Sequence, residues 1–313
     1  MNKFILASLL ILVGFGSMEA QRYRNPSQYL RQFNNQKRKA DIKTLLYLEA
    51  SIKDEDPRRV AKYHEIVLDQ MKESKKEVQR IGAYNGDDIL QREYVAGFDI
   101  LINVFDKDFR KAEEMRDSMY DSFQHLEKYY AQVTGAEDIM YDAFYKIEAA
   151  EDHFIKTNFI EFERDQEIVL RYDELDIATL HSRDMTLAFF RVEYQVSTLM
   201  DDIKAKDFDS IQSSIGKINR AIEVTVEELK EYAEFDGEDW LIEELEDYIG
   251  DMKEEVNFNL VPIAEQLQNR FLDEKDYNSA VKDLDRFVSR HEGRVEDFFE
   301  TRDDFVYAYL PEE

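Results

Sequence analysis

Three observations predict an all-α protein built as two tandem antiparallel helical-bundle modules. Apolar residues recur at helical spacing along nearly the whole chain. Only ten Gly and four Pro interrupt 313 residues. One stretch, residues 51–90, lies without a gap over residues 202–241 at a constant offset of 151. Strand-like alternation is not found, so the period is that of the α-helix.

The chain opens with a leader. Lys3 is followed by an apolar run of twelve residues, Phe4 to Phe15, and then by a polar stretch ending at Ala20. A run of that length falls short of the ~20 residues a membrane span needs, and the pattern is that of a secretory signal peptide over residues 1–20. The mature chain is therefore expected to be exported to the periplasm, cell surface or extracellular space. Residues 21–40 form a basic segment, with Arg22, Arg24, Arg31, Lys37, Arg38 and Lys39 and no acid.

The first strongly patterned helix carries Val60, Tyr63, Val67, Met71, Ser74, Val78 and Ile81 on one face. Spacings of three and four place these residues in a single stripe. Asp56-Pro57 opens this helix, because Asp accepts from free amide groups and Pro fits the first turn. Gly82 and the Tyr84-Asn85-Gly86 turn close it. The next helix puts Leu90, Tyr94, Phe98, Leu101 and Phe105 inward.

Adding 151 to the two stripes gives Ile211, Ser214, Ile218, Ile222, Thr225, Leu229 and Tyr232, then Leu241, Leu245, Ile249, Met252 and Val256. Asp56 maps onto Asp207 as a second cap, and Gly86 onto Gly237 as a second turn. Seven of the forty aligned positions are identical, so what recurs is pattern more than residue identity. Further along, an offset of 158 aligns Leu126, Tyr129 and Gly135 with Leu284, Phe287 and Gly293. That change implies an insertion of two helical turns, which leaves the apolar face in place. The modules are thus expected at 21–165 and 166–313, joined by a nearly continuous helix over 161–205. Closely spaced aromatic residues, Phe298, Phe299 and Phe305 among them, read as core.

Composition narrows the function. The net charge of −28 opposes nucleic-acid binding, which needs clustered Lys and Arg to neutralise phosphate. With no Cys in the chain, thiol catalysis and Cys-ligated zinc are excluded. Residues 223–255 carry fifteen acids against Lys230 and Lys253. These patches read first as solvated helix surface; the alternative is that, together with the basic 21–40 segment, they capture a cationic partner or a second copy.

None of His64, His125, His153, His181 or His291 follows a Glu by three residues, so the di-iron bundle motif is absent. The histidines read as solvent or boundary residues. Serine-hydrolase, phosphate-loop and dinucleotide signatures are also missing. The repeated turn places Asn85, Asp87 and Asp88, and again Asp236, Glu238 and Asp239, around a Gly, which is a set of oxygen ligands that calcium could use. The alternative is that these acids favour the N-termini of the helices that follow.

The leader ending in Ala20-Gln21, the Cys-free helical modules and the run from Asp56 to His64 resemble uncharacterised exported, all-helical surface and periplasmic proteins of Bacteroidetes-type bacteria. The resemblance covers mainly the first module. It implies a location and a fold, and no active residues. The expected function is therefore a non-enzymatic binding or scaffold protein of the cell envelope, with a protein, peptide or glycan partner. No catalytic, cofactor-binding or metal-binding residue is assigned. The alternative is a small-ligand or cation carrier, which would need a cavity of roughly 300–1,000 Å³. A buried polar cluster without a structural role would reopen the case for an enzyme.

Overall fold

The structure, a computed structural model, describes residues 25–310 apart from 54, 55, 208, 231, 233–239 and 270. The leader and the Asp236 to Asp239 turn lie outside these residues. The fold is all-α. Its helices are α1 (Pro26–Ile52), α2 (Pro57–Ile81), α3 (Ile89–Val104), α4 (Arg110–Arg116), α5 (Phe123–Asn158), α6 (Gln166–Ala205), α7 (Ile211–Leu229), α8 (Trp240–Glu255), α9 (Val261–Gln268) and α10 (Glu274–Tyr309). A π-helical turn, Phe105–Phe109, joins α3 to α4, and another, Val256–Leu260, joins α8 to α9. Among the described residues the only bridge of β type is the isolated pair Tyr84 and Asp87. No described helix is long and apolar enough to cross a membrane.

Two compact units divide the chain. One takes the described residues up to Asp117 together with Tyr129–Asp173, and the other takes Ser118–Lys128 together with the described residues from Glu174 onward. In the first unit α2 packs on both α1 and α3. Most of the predicted stripe is the buried face of α2: Val60, Val67, Met71, Ser74 and Val78 are buried, whereas Tyr63 and Ile81 are half-buried. Leu90, Tyr94, Phe98, Leu101 and Phe105 are buried from the next element. Each such large apolar side chain contributes about 1.5–3 kcal/mol by leaving water. Asp56 is the N-cap of α2, its side chain accepting from the Arg58 amide at 2.8 Å.

In the second unit the transposed stripes are buried too, from Ile211 to Leu229 on α7 and from Leu241 to Val256 beyond it. Tyr232, at the end, is exposed. The cap departs from expectation. Ser210, not Asp207, precedes α7, and its side chain makes no capping bond. Asp207 accepts from the Ser210 hydroxyl instead, at 3.0 Å.

The bounds of three later elements keep the offset of 151. Ile89–Val104 transposes onto Trp240–Glu255, Phe105–Phe109 onto Val256–Leu260, and Phe123–Asn158 onto Glu274–Tyr309. The expected change to 158 is therefore not needed. Seven residues are nearly two full turns, so apolar spacing alone could not separate the two registers. At 151 the buried residues Val133, Ala136, Met140, Ile147, Glu151 and Phe154 fall on Leu284, Phe287, His291, Phe298, Arg302 and Phe305, all of them buried. The helix expected over 161–205 begins only at Gln166, after a non-helical segment that follows Phe159, whose φ is +52°.

Candidate functional site

The first unit holds a cleft of about 380 Å³. Helix α1 supplies Arg31, Lys37, Arg38 and Asp41, and α5 supplies Glu148 and Glu151. The segment between α5 and α6 supplies Phe162, Glu163, Arg164 and Asp165, with Ile168 and Val169 from the start of α6. Arg38 holds that segment against α1, its Nε donating to Asp165 Oδ2 at 2.7 Å. Arg164 Nη2 donates to Asp152 Oδ1 at 2.7 Å.

The floor of the cleft consists of charged residues on helix faces that are otherwise apolar. Along α1, Asp41 follows buried Phe33 and precedes buried Thr44 and Leu48. Along α5, Glu151 sits between buried Ile147 and Phe154. Asp41 is 2 % exposed and Glu151 1 %. Lys37 Nζ donates to Asp41 Oδ2 at 3.0 Å, stands 3.9 Å from Glu148 Oε1, and lies over the Phe144 ring. The buried hydroxyl of Tyr94, on α3, donates to Glu151 Oε1.

These surroundings shift the titrations. Burial raises the Glu151 carboxyl from its ordinary 4.5 to about 7, against the pull of the Tyr94 hydroxyl, Lys37 and Arg164. Burial also raises the Asp41 carboxyl, with Lys37 opposing. For Lys37 burial acts downward, but Asp41, Glu151 and Glu148 outweigh it and the ammonium is held above its usual range. Burial and the neighbouring Glu151 push the Tyr94 hydroxyl well above its ordinary value.

Two buried polar atoms of the lining have no hydrogen-bond partner: Asp41 Oδ1 and Arg164 Nε. Such atoms are rare, since losing water without a replacement costs about 1–3 kcal/mol. Both side chains line a cleft of small-molecule size, and a small polar molecule there satisfies the two atoms if those side chains turn toward it. Glu151, with a titration near neutrality, can also exchange a proton there.

The second unit treats the corresponding positions differently. Buried positions of α1 match α6 at an offset of 152: Leu30, Phe33, Ala40, Thr44, Tyr47 and Leu48 fall on Ser182, Met185, Val192, Val196, Leu199 and Met200, all buried. In that register Lys37 meets Phe189 and Asp41 meets Glu193; at 151, Tyr94 meets Leu245 and Glu151 meets Arg302. Phe189 stacks on Phe298 with centroids 3.9 Å apart and packs at a tilt against Tyr248 at 4.5 Å. An aromatic stack thus fills that interior. A shallower cleft of about 270 Å³ lies between α7 and α8, lined mainly by Ile222, Val226, Leu229 and Ile249.

The residues singled out from sequence go elsewhere. Asp87 accepts from the Ile89 amide at 2.8 Å and so serves the start of α3. Asn85 and Gly86 supply the positive φ values of the turn, +53° and +87°. Among the described residues no group of three or more His, Asp or Glu could hold a metal ion. The histidines do not all sit at the surface: His64, His181 and His291 are buried. Two of them have side-chain partners, half-buried Glu113 and buried Tyr248. His64 Nδ1 meets Glu113 Oε1 at 2.5 Å, and His291 Nε2 meets the Tyr248 hydroxyl at 3.3 Å. Comparison with known protein families, curated proteins and solved structures finds no match.

Proposed function

We propose that this chain is an exported, non-enzymatic binding protein made of two related helical modules. In this reading the first module holds a small polar ligand and the second serves as a structural counterpart. The observation that carries the proposal is the 380 Å³ cleft with the unpartnered, buried Asp41 Oδ1 on its floor. Its size falls in the range of small-molecule sites. Matching helix bounds and buried positions at offsets of 151 and 152 support duplication, and the cleft lies where matched positions of the two modules carry different chemistry. The export signal rests on the leader.

A thermal-shift screen of the full mature chain tests this. The panel should contain small amines, carboxylates, sugars and calcium, each with wild type and with Val169→Trp. Val169 is 37 % exposed at the cleft, so Trp would narrow the opening without touching the floor. A ligand present at a hundredfold excess over its Kd adds about 2.7 kcal/mol, enough to raise Tm by several degrees. Shifts abolished by Val169→Trp support the proposal. A panel with no shift, or with shifts indifferent to that substitution, rejects it.

A further inference from the structure

The charge balance of the cleft floor identifies a ligand class, and this step rests on the small-ligand reading above. The floor gathers three carboxyl groups, Asp41, Glu148 and Glu151, against the single ammonium of Lys37. Lys37 occupies one oxygen of Asp41 and leaves Oδ1 buried without a donor. The arginines nearer the edge do not reverse this excess: Arg38 is held by Asp165 and Arg164 by Asp152, and the charge of Arg31 is matched by Glu163 in the same lining. Phe162, Ile168 and Val169 line the same cleft and offer apolar surface.

We propose that the cleft binds a small organic amine as its cation, with the ammonium beside the Asp41 and Glu148 carboxylates, Asp41 Oδ1 accepting from it once that side chain turns into the cleft, and the carbon body against Phe162, Ile168 and Val169. An anion would enter beside three carboxyl groups and would have to compete for cations already engaged, Lys37 by Asp41, Arg38 by Asp165 and Arg164 by Asp152. A bare metal ion fits poorly, since the Lys37 ammonium already sits between Asp41 and Glu148, 3.0 and 3.9 Å away. A protonated amine instead supplies N–H donors and positive charge at one point. The volume of 380 Å³ admits an amine with a ring or short chain and not a folded peptide.

The proposal carries a proton signature. Glu151 faces Tyr94 from α3, Lys37 from α1 and Arg164 from the segment before α6, with Glu148 beside it on α5. A second cation on this floor favours the ionised carboxylate, so binding expels a proton. With a carboxyl near 7, up to about half a proton leaves per molecule bound at pH 7.

Calorimetric titration of the full mature chain tests the assignment. Phenethylammonium chloride is the probe, with phenethyl alcohol and phenylacetate as the neutral and anionic controls of similar shape. The expected result is binding of the amine at least about tenfold tighter than either control, weakened about tenfold by Asp41→Asn. Glu148→Gln, at a more exposed position, should weaken it as well and keeps the test valid if Asp41→Asn fails to fold. Repeating the titration in buffers of different ionisation enthalpy should show proton release. Equal or tighter binding of the alcohol or phenylacetate, abolished by Val169→Trp, overturns the amine assignment and leaves the small-ligand reading standing. Amine binding that ignores Asp41→Asn and Glu148→Gln and releases no proton also overturns it. Failure of these probes and of the whole screening panel removes both.

Discussion

Replacing Glu151 by Gln should reshape the pH dependence of stability. The Glu151 carboxyl titrates near 7 in the folded chain against an ordinary 4.5. Between those values the folded state holds more protons than the unfolded chain. Stability therefore falls as pH rises through this window and levels off above the folded value. Integrating the linkage gives a destabilisation of about 1 kcal/mol at pH 5 and about 3 kcal/mol at pH 8. Gln is nearly isosteric, keeps an oxygen to accept from Tyr94, and carries no charge to bury. Urea unfolding at pH 5 and pH 8 reads the difference through the midpoint, provided the slope is unchanged. Wild type should lose about 2 kcal/mol more than Glu151→Gln between the two conditions. If both proteins lose stability in parallel, Glu151 is solvated in the folded state and the account of the cleft floor is wrong.

Other substitutions test the two units separately. Asp56→Ala should cost about 1 kcal/mol by removing the cap of α2, whereas Ser210→Ala should cost no more than a few tenths, since Ser210 makes no capping bond. Gly97→Ala should destabilise the first unit by roughly 1 kcal/mol in urea unfolding, because the new Cβ would lie 2.5 Å from Ile147 Cγ1 and overpacking outweighs the gain in helix propensity. In an Ile147→Ala background the same change should become stabilising, because it fills the vacated space; an unchanged sign refutes the contact. His291, lowered to about 4 by burial and by nearby Arg294, should remain neutral in NMR titrations down to about that pH. The stability it confers is present above the unfolded value of 6.5 and is lost as pH falls toward 4.

Much of the scaffold was legible because packing obeys periodicity. The stripes from Val60 to Val78 and from Leu90 to Phe105 lie inside, and so do most of their transposed partners. What periodicity could not decide was phase by whole heptads, which is why Leu126 could be laid over Leu284 although Val133 matches it at the offset that the helix bounds keep. Caps are equally local, and Ser210 competes with Asp207 within one turn. The cleft was hidden for a different reason. Glu151 is one acid among 69, and Asp41 sits one residue beyond the basic 21–40 segment. A usable signal did exist: Lys37, Asp41 and Glu151 each interrupt an apolar stripe at helical spacing. Reading those interruptions as costs demanding a partner would have drawn Lys37 to Asp41. The pairing of Glu151 with Tyr94 crosses 57 residues and depends on how α3 meets α5, which no local pattern reveals.

The two π-helical turns, at Phe105–Phe109 and Val256–Leu260, act as gearing. Each widens the helical path by one residue, and each residue of an α-helix turns its successor by about 100°. The wider turn absorbs that step, so the elements downstream keep the faces they would have without it. Excising exposed Lys107 would let the turn close into a regular α-helix with Phe109 and Ala112 still facing inward. A single deletion is thus tolerated better there than in the regular helix on either side, and the same arithmetic holds at Phe258, exposed in the middle of the second turn. In this chain the timing of the helix is kept through a place where the helix is not regular.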